Sequence, residues 1–130
     1  MDGIRLKWPG GEHSFALRLG ELRALQDARD AGPEEIFNRL RTGAWRIDDV
    51  IQTLRQGLVG GEGMTPHEAA QRVMEVIELH PLSQFKLTAL SVLLHAILGP
   101  GDEEVGKPEG ATTETAPENG NSPGSTATAQ

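Results

Sequence analysis

The segment from Leu82 to Leu98 limits the choice of folds more than any other, because it is apolar on nearly every side. Pro81 precedes it and Gly99-Pro100 follows it, so the pattern predicts one helix with a breaker at each end. Polar residues interrupt the segment, and no apolar run in the chain is long enough to cross a bilayer. In a chain of 130 residues, such a helix is expected to be central to the core or partly covered by a partner.

Near the N-terminus, apolar and polar side chains alternate, as they do in a strand with one buried face. The alternation runs from Ile4 to Trp8, stops at the turn residues from Pro9 to Glu12, and resumes from His13 to Leu17. The sequence therefore predicts a β-hairpin. Two strands alone are only marginally stable in water, so we expect the hairpin to pack against helices or to pair with a partner's sheet.

From Glu21 onward the spacing of apolar residues becomes helical, and turn-forming residues divide the region into four or five short helices. The second helix is predicted to start at Pro33 and to end at Gly43. The third helix carries a single apolar stripe, formed by Ile47, Val50, Ile51, Leu54 and Leu58.

The run from Gly60 to Gly63 is predicted to be a flexible break after the third helix. Thr65 and Glu68 then form a capping box, with a proline between them in the first helical position. The helix that this box opens is expected to end near His80, because Pro81 disfavours helix in the residue before it.

The composition of the chain changes at about residue 100. Residues 101–130 contain six acids and one lysine, and their one large apolar residue is Val105. Ordering a residue costs about 1–2 kcal/mol in backbone entropy, which a segment with so little to bury cannot recover. We therefore predict a mainly helical α+β domain over residues 1–100, with the N-terminal hairpin followed by four or five short helices. Residues 101–130 are predicted to be a disordered acidic tail.

The sequence offers no motif for catalysis or for a cofactor. The chain has no cysteine, and no metal-binding motif is formed by its four histidines, which are His13, His67, His80 and His95. Asp48 and Asp49 are neighbours that would point in different directions on a helix, and their place after Arg46 suits a helix start. The glycines from 57 to 63 lack the Lys-Ser/Thr pair of a phosphate-binding loop. We expect no enzyme activity, no cofactor and no metal.

Binding to nucleic acid or to a membrane is not indicated either. Seven arginines lie between Arg18 and Arg55, but seven acids are interleaved with them. Mixed signs of this kind are typical of solvated helix faces rather than of a basic stripe that binds DNA. The N-terminus lacks the pattern of a secretory signal, and the absence of cysteine suits a reducing compartment. We expect a soluble, cytoplasmic protein.

A role in protein binding remains. Trp45, just before the third helix, is interpreted first as a core residue and second as an interface anchor, since tryptophan is enriched in binding hot spots. The apolar last helix is the stronger candidate, because one short domain is not expected to cover it fully. The candidate partner-binding residues are Trp45, Leu82, Phe85, Leu90 and Leu94.

Four motifs occur in an order and spacing that resemble a known family. They are Gly43-Ala-Trp45-Arg46-Ile-Asp48-Asp49-Val50, Gly57-Leu-Val-Gly60-Gly61, Met64-Thr65-Pro66-His-Glu68-Ala69 and Pro81-Leu82. Together they resemble the gene-transfer-agent and phage tail proteins that are grouped as tail assembly chaperones and sometimes labelled tail tube proteins. The resemblance extends from Ile4 to Gly99. Glu62, which interrupts the glycine run, departs from the pattern, and the acidic tail lies outside it.

The resemblance implies a non-enzymatic factor that acts in the cytoplasm of the bacterial host while the tail is built. It implies binding to the tape-measure protein and to the tail tube protein, and no cofactor. An apolar helix can offer a groove to another helix, and an unpaired hairpin edge can add a strand to another sheet. Two alternatives stay open, which are a structural tail component retained in the particle and a small nucleic-acid-binding regulator. The sequence leaves the oligomeric state open, a homo-oligomer included.

Overall fold

The hairpin and the helices follow one another in the predicted order. The computed structural model describes residues 2–99. The hairpin consists of β1 (Ile4–Trp8) and β2 (Gly11–Phe15), and the helices are α1 (Leu19–Arg29), α2 (Pro33–Thr42), α3 (Ile47–Glu62), α4 (Pro66–Ile77) and α5 (Leu82–Leu98). The prediction of a mainly helical α+β fold is confirmed. The predicted tail, residues 101–130, lies outside the described residues.

α4 starts with the predicted capping box. The Thr65 hydroxyl accepts a hydrogen bond from the Glu68 N–H at 3.1 Å, and the Glu68 carboxylate accepts one from the Thr65 N–H at 3.0 Å. The two side chains thus satisfy main-chain donors that have no partner within the helix. The helix ends at Ile77, three residues before the predicted end at His80.

α3 crosses the middle of the domain and packs against β2, α1 and α4. Its inward side is formed by Val50, Leu54 and Leu58, each at most 1% exposed. The other two residues of the predicted stripe are less buried, since Ile51 is half-buried and Ile47 is exposed in the first turn. The helix is therefore the central element on which the hairpin and two other helices rest.

The glycine-rich run at the end of α3 is helical, so the prediction of a flexible break is wrong. The helix continues through Gly60 and Gly61 and ends at Glu62, followed by Gly63 as its C-cap, whose φ of 74° is left-handed. A Cβ atom on Gly60 would collide with the carbonyl oxygen of Ala16, and one on Gly61 with the carbonyl oxygen of Ser14. The two glycines thus let the helix backbone approach the chain of the hairpin closely.

The hairpin has a tighter turn than the sequence indicates. β1 and β2 pair antiparallel with Trp8 opposite Gly11, so the connection is only Pro9 and Gly10. Trp8 and Phe15 are buried, and their rings meet edge to face with centroids 5.6 Å apart. The hairpin therefore shares its apolar face with the helical core, as a two-stranded sheet requires for stability.

Candidate protein-binding surface

α5 has two apolar sides that differ in exposure. The buried residues of the helix are Phe85, Thr88, Ala89, Val92, Leu93 and His95. The opposite side includes four apolar residues at positions i, i+3, i+7 and i+10, which are Leu87, Leu90, Leu94 and Ile97, and the exposed Leu98 ends the helix. Leu87 is 63% exposed and Leu94 is 40% exposed, whereas the other two of the four are half-buried. Residues at this spacing form one narrow line along a helix, and we call these four the α5 stripe.

The predicted contact residues of α5 lie on different sides of the helix. Leu90 and Leu94 lie in the α5 stripe. Leu82 is 44% exposed, but it begins the helix on another side. Phe85 is completely buried, and its ring contacts Trp8 edge to face at 6.3 Å. The prediction of Phe85 as a contact residue is therefore corrected, because the helix turns this side chain into the core.

Trp45 lies outside the α5 stripe, whereas Leu87 lies within it. Trp45 lies in the segment before α3, where it is half-buried and packs against the core, so it is not part of the α5 stripe. Leu87 is missing from the predicted set although it is the most exposed residue of the stripe. Its spacing of seven residues from Leu94 is the signal that could have identified it.

A groove separates the hairpin turn from the N-terminal half of α5. It has a volume of about 440 Å³ and is lined by Lys7, Trp8, Pro9, Gln84, Leu87 and Thr88. At the other end of β1, Nε2 of His95 lies 2.8 Å from the carbonyl oxygen of Asp2. The N-terminal half of α5 thus lies near the turn end of β1, and its C-terminal half lies near the residue before β1. We call this space the hairpin groove, and it continues the apolar surface of the stripe because Leu87 belongs to both.

α3 covers the β2 edge of the hairpin at Ser14 and just after it. Trp8 and Gly11 flank a two-residue connection, so they form a hydrogen-bonded pair. Along each strand, the residues of hydrogen-bonded pairs direct their main-chain N–H and C=O groups to the other strand, and the residues between them direct theirs outwards. On β2 the outward N–H of Ser14 donates to Oε2 of Glu62 at 2.6 Å. Just after β2, the N–H of Ala16 donates to the carbonyl oxygen of Gly57 at 3.0 Å.

The β1 edge is open in the described part of the chain. By the same alternation, the outward main-chain groups of this strand are those of Arg5 and Lys7. Within residues 2–99, these outward N–H and C=O groups form no hydrogen bond. The unpaired edge that the sequence suggested is therefore an edge of β1.

His13 connects the hairpin to α4. Its Nδ1 accepts a hydrogen bond from Nε1–H of Trp8 at 2.8 Å, and its Nε2 lies 3.0 Å from Nη1 of Arg72. Burial of the imidazole lowers the pKa of His13, and the positive charge of Arg72 lowers it further. A proton on Nδ1 would also remove the acceptor that Trp8 uses. The contact between hairpin and α4 therefore favours the neutral imidazole.

We expect the domain to lose stability as the pH falls below about 6.5, the ordinary pKa of histidine. The pKa of His13 is lower in the folded chain than in the unfolded chain, so the unfolded chain binds more protons in this range. The stability contributed by the neutral imidazole is thus complete above the unfolded pKa and decreases as the pH falls through the folded pKa. Thermal unfolding at about pH 7.5 and about pH 5 measures the effect.

The matched variants are His13→Gln and His67→Gln, since His67 is exposed in the first turn of α4. The first variant should reduce the difference in Tm between the two pH values, and the second should leave most of that difference in place. Equal pH dependence in His13→Gln and in the unchanged chain would contradict this role of His13.

Comparison with known families identifies the chain. The family described as "Phage tail tube protein, GTA-gp10" matches residues 3–99. The chain belongs to this family. The match includes both strands and all five helices of the described structure, and it confirms the resemblance to phage and gene-transfer-agent tail proteins. No curated protein and no solved structure gives a match.

In this member of the phage tail tube family, Asp49 is the centre of a buried ion-pair cluster. Its Oδ1 accepts hydrogen bonds from Nε of Arg29 at 2.8 Å and from Nη1 of Arg39 at 3.1 Å. Its Oδ2 accepts one from the main-chain N–H of Arg46 at 2.8 Å. Burial alone would raise the pKa of Asp49, but the hydrogen bond from Arg46 and the bonds and charges of the two arginines lower it.

The cluster explains the role of the neighbouring acids in the sequence. Asp49 bonds to the residue before α3, which confirms the prediction that these acids mark a helix start, while Asp48 is exposed. The two arginines lie on α1 and α2, so the cluster also joins three helices of the phage tail tube family domain. Nothing local in the sequence pointed to these partners, which are 20 and 10 residues away.

Two further properties of the phage tail tube family domain concern residues 2–99. Among these residues, no three histidine, cysteine or acidic side chains come together in a way that would hold a metal ion. None of the helices in this part of the chain has the length and apolar character needed to span a membrane.

Proposed function

We propose that the chain is a tail assembly chaperone of a phage or gene transfer agent, which binds the tape-measure protein and the tail tube protein in the cytoplasm of the bacterial host. The observation that carries the proposal is the α5 stripe, an apolar line that the folded residues 2–99 leave partly exposed. Membership of the phage tail tube family connects the chain with phage tails.

The form of the α5 stripe suits a helical segment of the partner. Its spacing alternates between three and four residues, which is the pattern of an interface between two helices. Burying a leucine side chain stabilises a complex by about 1.5–3 kcal/mol, so the two exposed leucines, Leu87 and Leu94, are the main contributors. Covering an apolar helix of the partner in this way protects it from aggregation until assembly. The proposed activity is binding, without catalysis and without a cofactor.

A second candidate function is that of a structural tail component that stays in the particle. The description of the family as a tail tube protein supports this candidate. In a finished tail, the same stripe would be covered permanently by a neighbouring subunit. Mass spectrometry of purified particles separates the two functions, since a chaperone is expected to be absent or far below the amount of the tube subunit. Stoichiometric amounts in the particle would overturn the chaperone proposal and support the structural role.

Co-expression with the tape-measure protein of the same gene cluster tests the binding surface. The unchanged chain should co-purify with that protein and raise its soluble yield. The double variant Leu87→Ser/Leu94→Ser should lose most of this co-purification, because both side chains lie in the stripe. Its free energy of unfolding should change by less than about 1 kcal/mol, since surface substitutions usually have small effects.

The matched control is Leu19→Ser, because Leu19 is 63% exposed at the start of α1 and does not belong to the stripe. This variant should co-purify like the unchanged chain. If the double variant co-purifies as well as the control, the α5 stripe is not the binding surface.

A further inference from the structure

We infer that the open β1 edge and the adjoining hairpin groove dock an extended segment of a partner protein in which acidic and apolar residues alternate. The segment would add a third strand to the hairpin. This inference deepens the proposed function and rests on it for the identity of the partner. The docking itself is a property of the chain alone, so the two are tested separately.

The main chain of β1 provides the hydrogen-bonding groups. Arg5 and Lys7 are two residues apart and direct their N–H and C=O groups to the same side, so four groups are available within the described structure. An extended segment repeats its own groups with the same two-residue period, which is how a strand is added to a sheet edge. The Ser14 end of β2 cannot bind the segment in this way, because the N–H groups of Ser14 and of Ala16 already donate hydrogen bonds to α3.

The two faces of β1 specify the side chains of the added strand. Arg5 and Lys7 are exposed on one face, so carboxylates at the corresponding positions of the segment would lie next to cations. Glu12 is the acid on that face, and it is already bonded to Arg5 at 3.2 Å. On the other face the segment would meet the hairpin groove, where Leu87 favours an apolar side chain. The required pattern is therefore acidic and apolar residues in alternation, over about five residues.

A second copy of the chain is disfavoured as the occupant. If two β1 edges paired with each other, the cations Arg5 and Lys7 of one copy would face the same cations of the other. Like charges on neighbouring strands destabilise the pairing. Residues 101–130 of the chain are acidic, but their one large apolar residue is Val105, so they lack the alternating apolar side chains that the groove favours. The charge of the edge and the apolar groove together therefore point to a different protein with an acidic segment.

Peptide binding to the full chain tests the inference by fluorescence anisotropy. The probe is a labelled peptide of about seven residues in which Glu and Val alternate, and it should bind saturably and more weakly as salt is added. A block peptide of the same composition, with all Glu residues before all Val residues, should bind at least about tenfold more weakly. A third peptide, methylated on the main-chain nitrogens that would face β1, should lose binding to a similar extent. Equal binding of the alternating and block peptides would overturn the inference.

Variants of the chain test the same contact from the other side. Lys7→Pro removes an outward N–H that takes no part in pairing with β2, and proline is tolerated on edge strands. It should weaken binding of the alternating peptide about tenfold, which corresponds to the loss of one hydrogen bond and one charge. Lys7→Glu should weaken it at least as much through repulsion.

The matched charge reversal is Arg23→Glu, at an exposed position on α1, which should leave the affinity within about twofold of the unchanged chain. Amide exchange of Arg5 and Lys7 provides an independent measurement, because both N–H groups should become protected when the peptide binds. Unchanged exchange, or an unchanged affinity in both Lys7 variants, would contradict the docking. A dimer in sedimentation experiments that is abolished by Lys7→Pro would instead assign the edge to a second copy and overturn the choice of partner.

Docking at the β1 edge and binding through the α5 stripe can fail independently. If the peptide fails to bind while co-purification through the α5 stripe persists, the inference fails alone. If the peptide binds as described while no tail protein co-purifies, the proposed function fails and the edge remains a strand-binding site.

Discussion

Replacement of Asp49 by asparagine is expected to lower the free energy of unfolding by about 3 kcal/mol, because it leaves Arg29 without its carboxylate and Arg39 with the exposed Glu35 alone. The side chains of Arg29 and Arg39 are only 15% and 24% exposed, whereas Asp49 is fully buried. Asparagine keeps the size of the side chain but not its charge, so the loss reports the ion pairs rather than a cavity. Equilibrium unfolding in urea, followed by circular dichroism, measures the change.

Asp48→Asn is the matched control, since Asp48 is the exposed neighbour in the same first turn. It should change the free energy of unfolding by no more than about 0.5 kcal/mol. A loss of similar size in both variants would show that the helix start, and not the buried cluster, accounts for the effect.

The difference in the free energy of unfolding between the unchanged chain and Asp49→Asn should depend on pH. The pKa of Asp49 is lowered in the folded chain, so its stabilising contribution is present above the unfolded pKa of about 3.9. It is lost as the pH falls below that value through the folded pKa. The advantage of the unchanged chain over Asp49→Asn should therefore be constant near neutral pH and should decrease in acid.

Gly60→Ala is expected to destabilise the domain by about 2 kcal/mol, although alanine is normally the better residue in a helix. The new Cβ would overlap with the carbonyl oxygen of Ala16, so either α3 or the chain after β2 would have to move. Gly61→Ala should have a similar effect, because its Cβ would overlap with the carbonyl oxygen of Ser14. Tm and urea midpoints of the two variants measure this cost.

Gly20→Ala is the control for helix propensity. Gly20 lies in α1, where an added Cβ would meet no atom from another element within 4 Å. This change should stabilise the domain by up to about 1 kcal/mol. If Gly60→Ala were stabilising to the same extent, the close packing of α3 on the hairpin would not be present in solution.

Local signals in the sequence were sufficient for the starts of α2 and α4 and for the order of the elements. Thr65 and Glu68, three positions apart in the chain, define the start of α4 through their reciprocal hydrogen bonds. Pro33 marks the start of α2. The close packing of α3 at Gly60 against the chain after β2 was not predictable from local signals. A glycine run is equally compatible with a loose connection and with close packing, and only the position of the hairpin decides between them.

The candidate surface was predictable only in part, for a related reason. α5 is apolar on nearly every side, so its sequence has no polar face that would indicate which residues point outwards. The helix could be identified as an interface candidate, but Phe85 and Leu87 could not be assigned to the correct sides. Asp49 presents the same difficulty, because its arginine partners come from two other helices.

The closure of one hairpin edge by α3 sets a limit on assembly. A sheet with two free edges can recruit strands on both sides and so link neighbours into an open-ended series. Here the side of β2 is sealed by Glu62 and by the main chain of α3. We therefore expect each copy to end any sheet that it joins, so that the hairpin of each copy recruits a single strand.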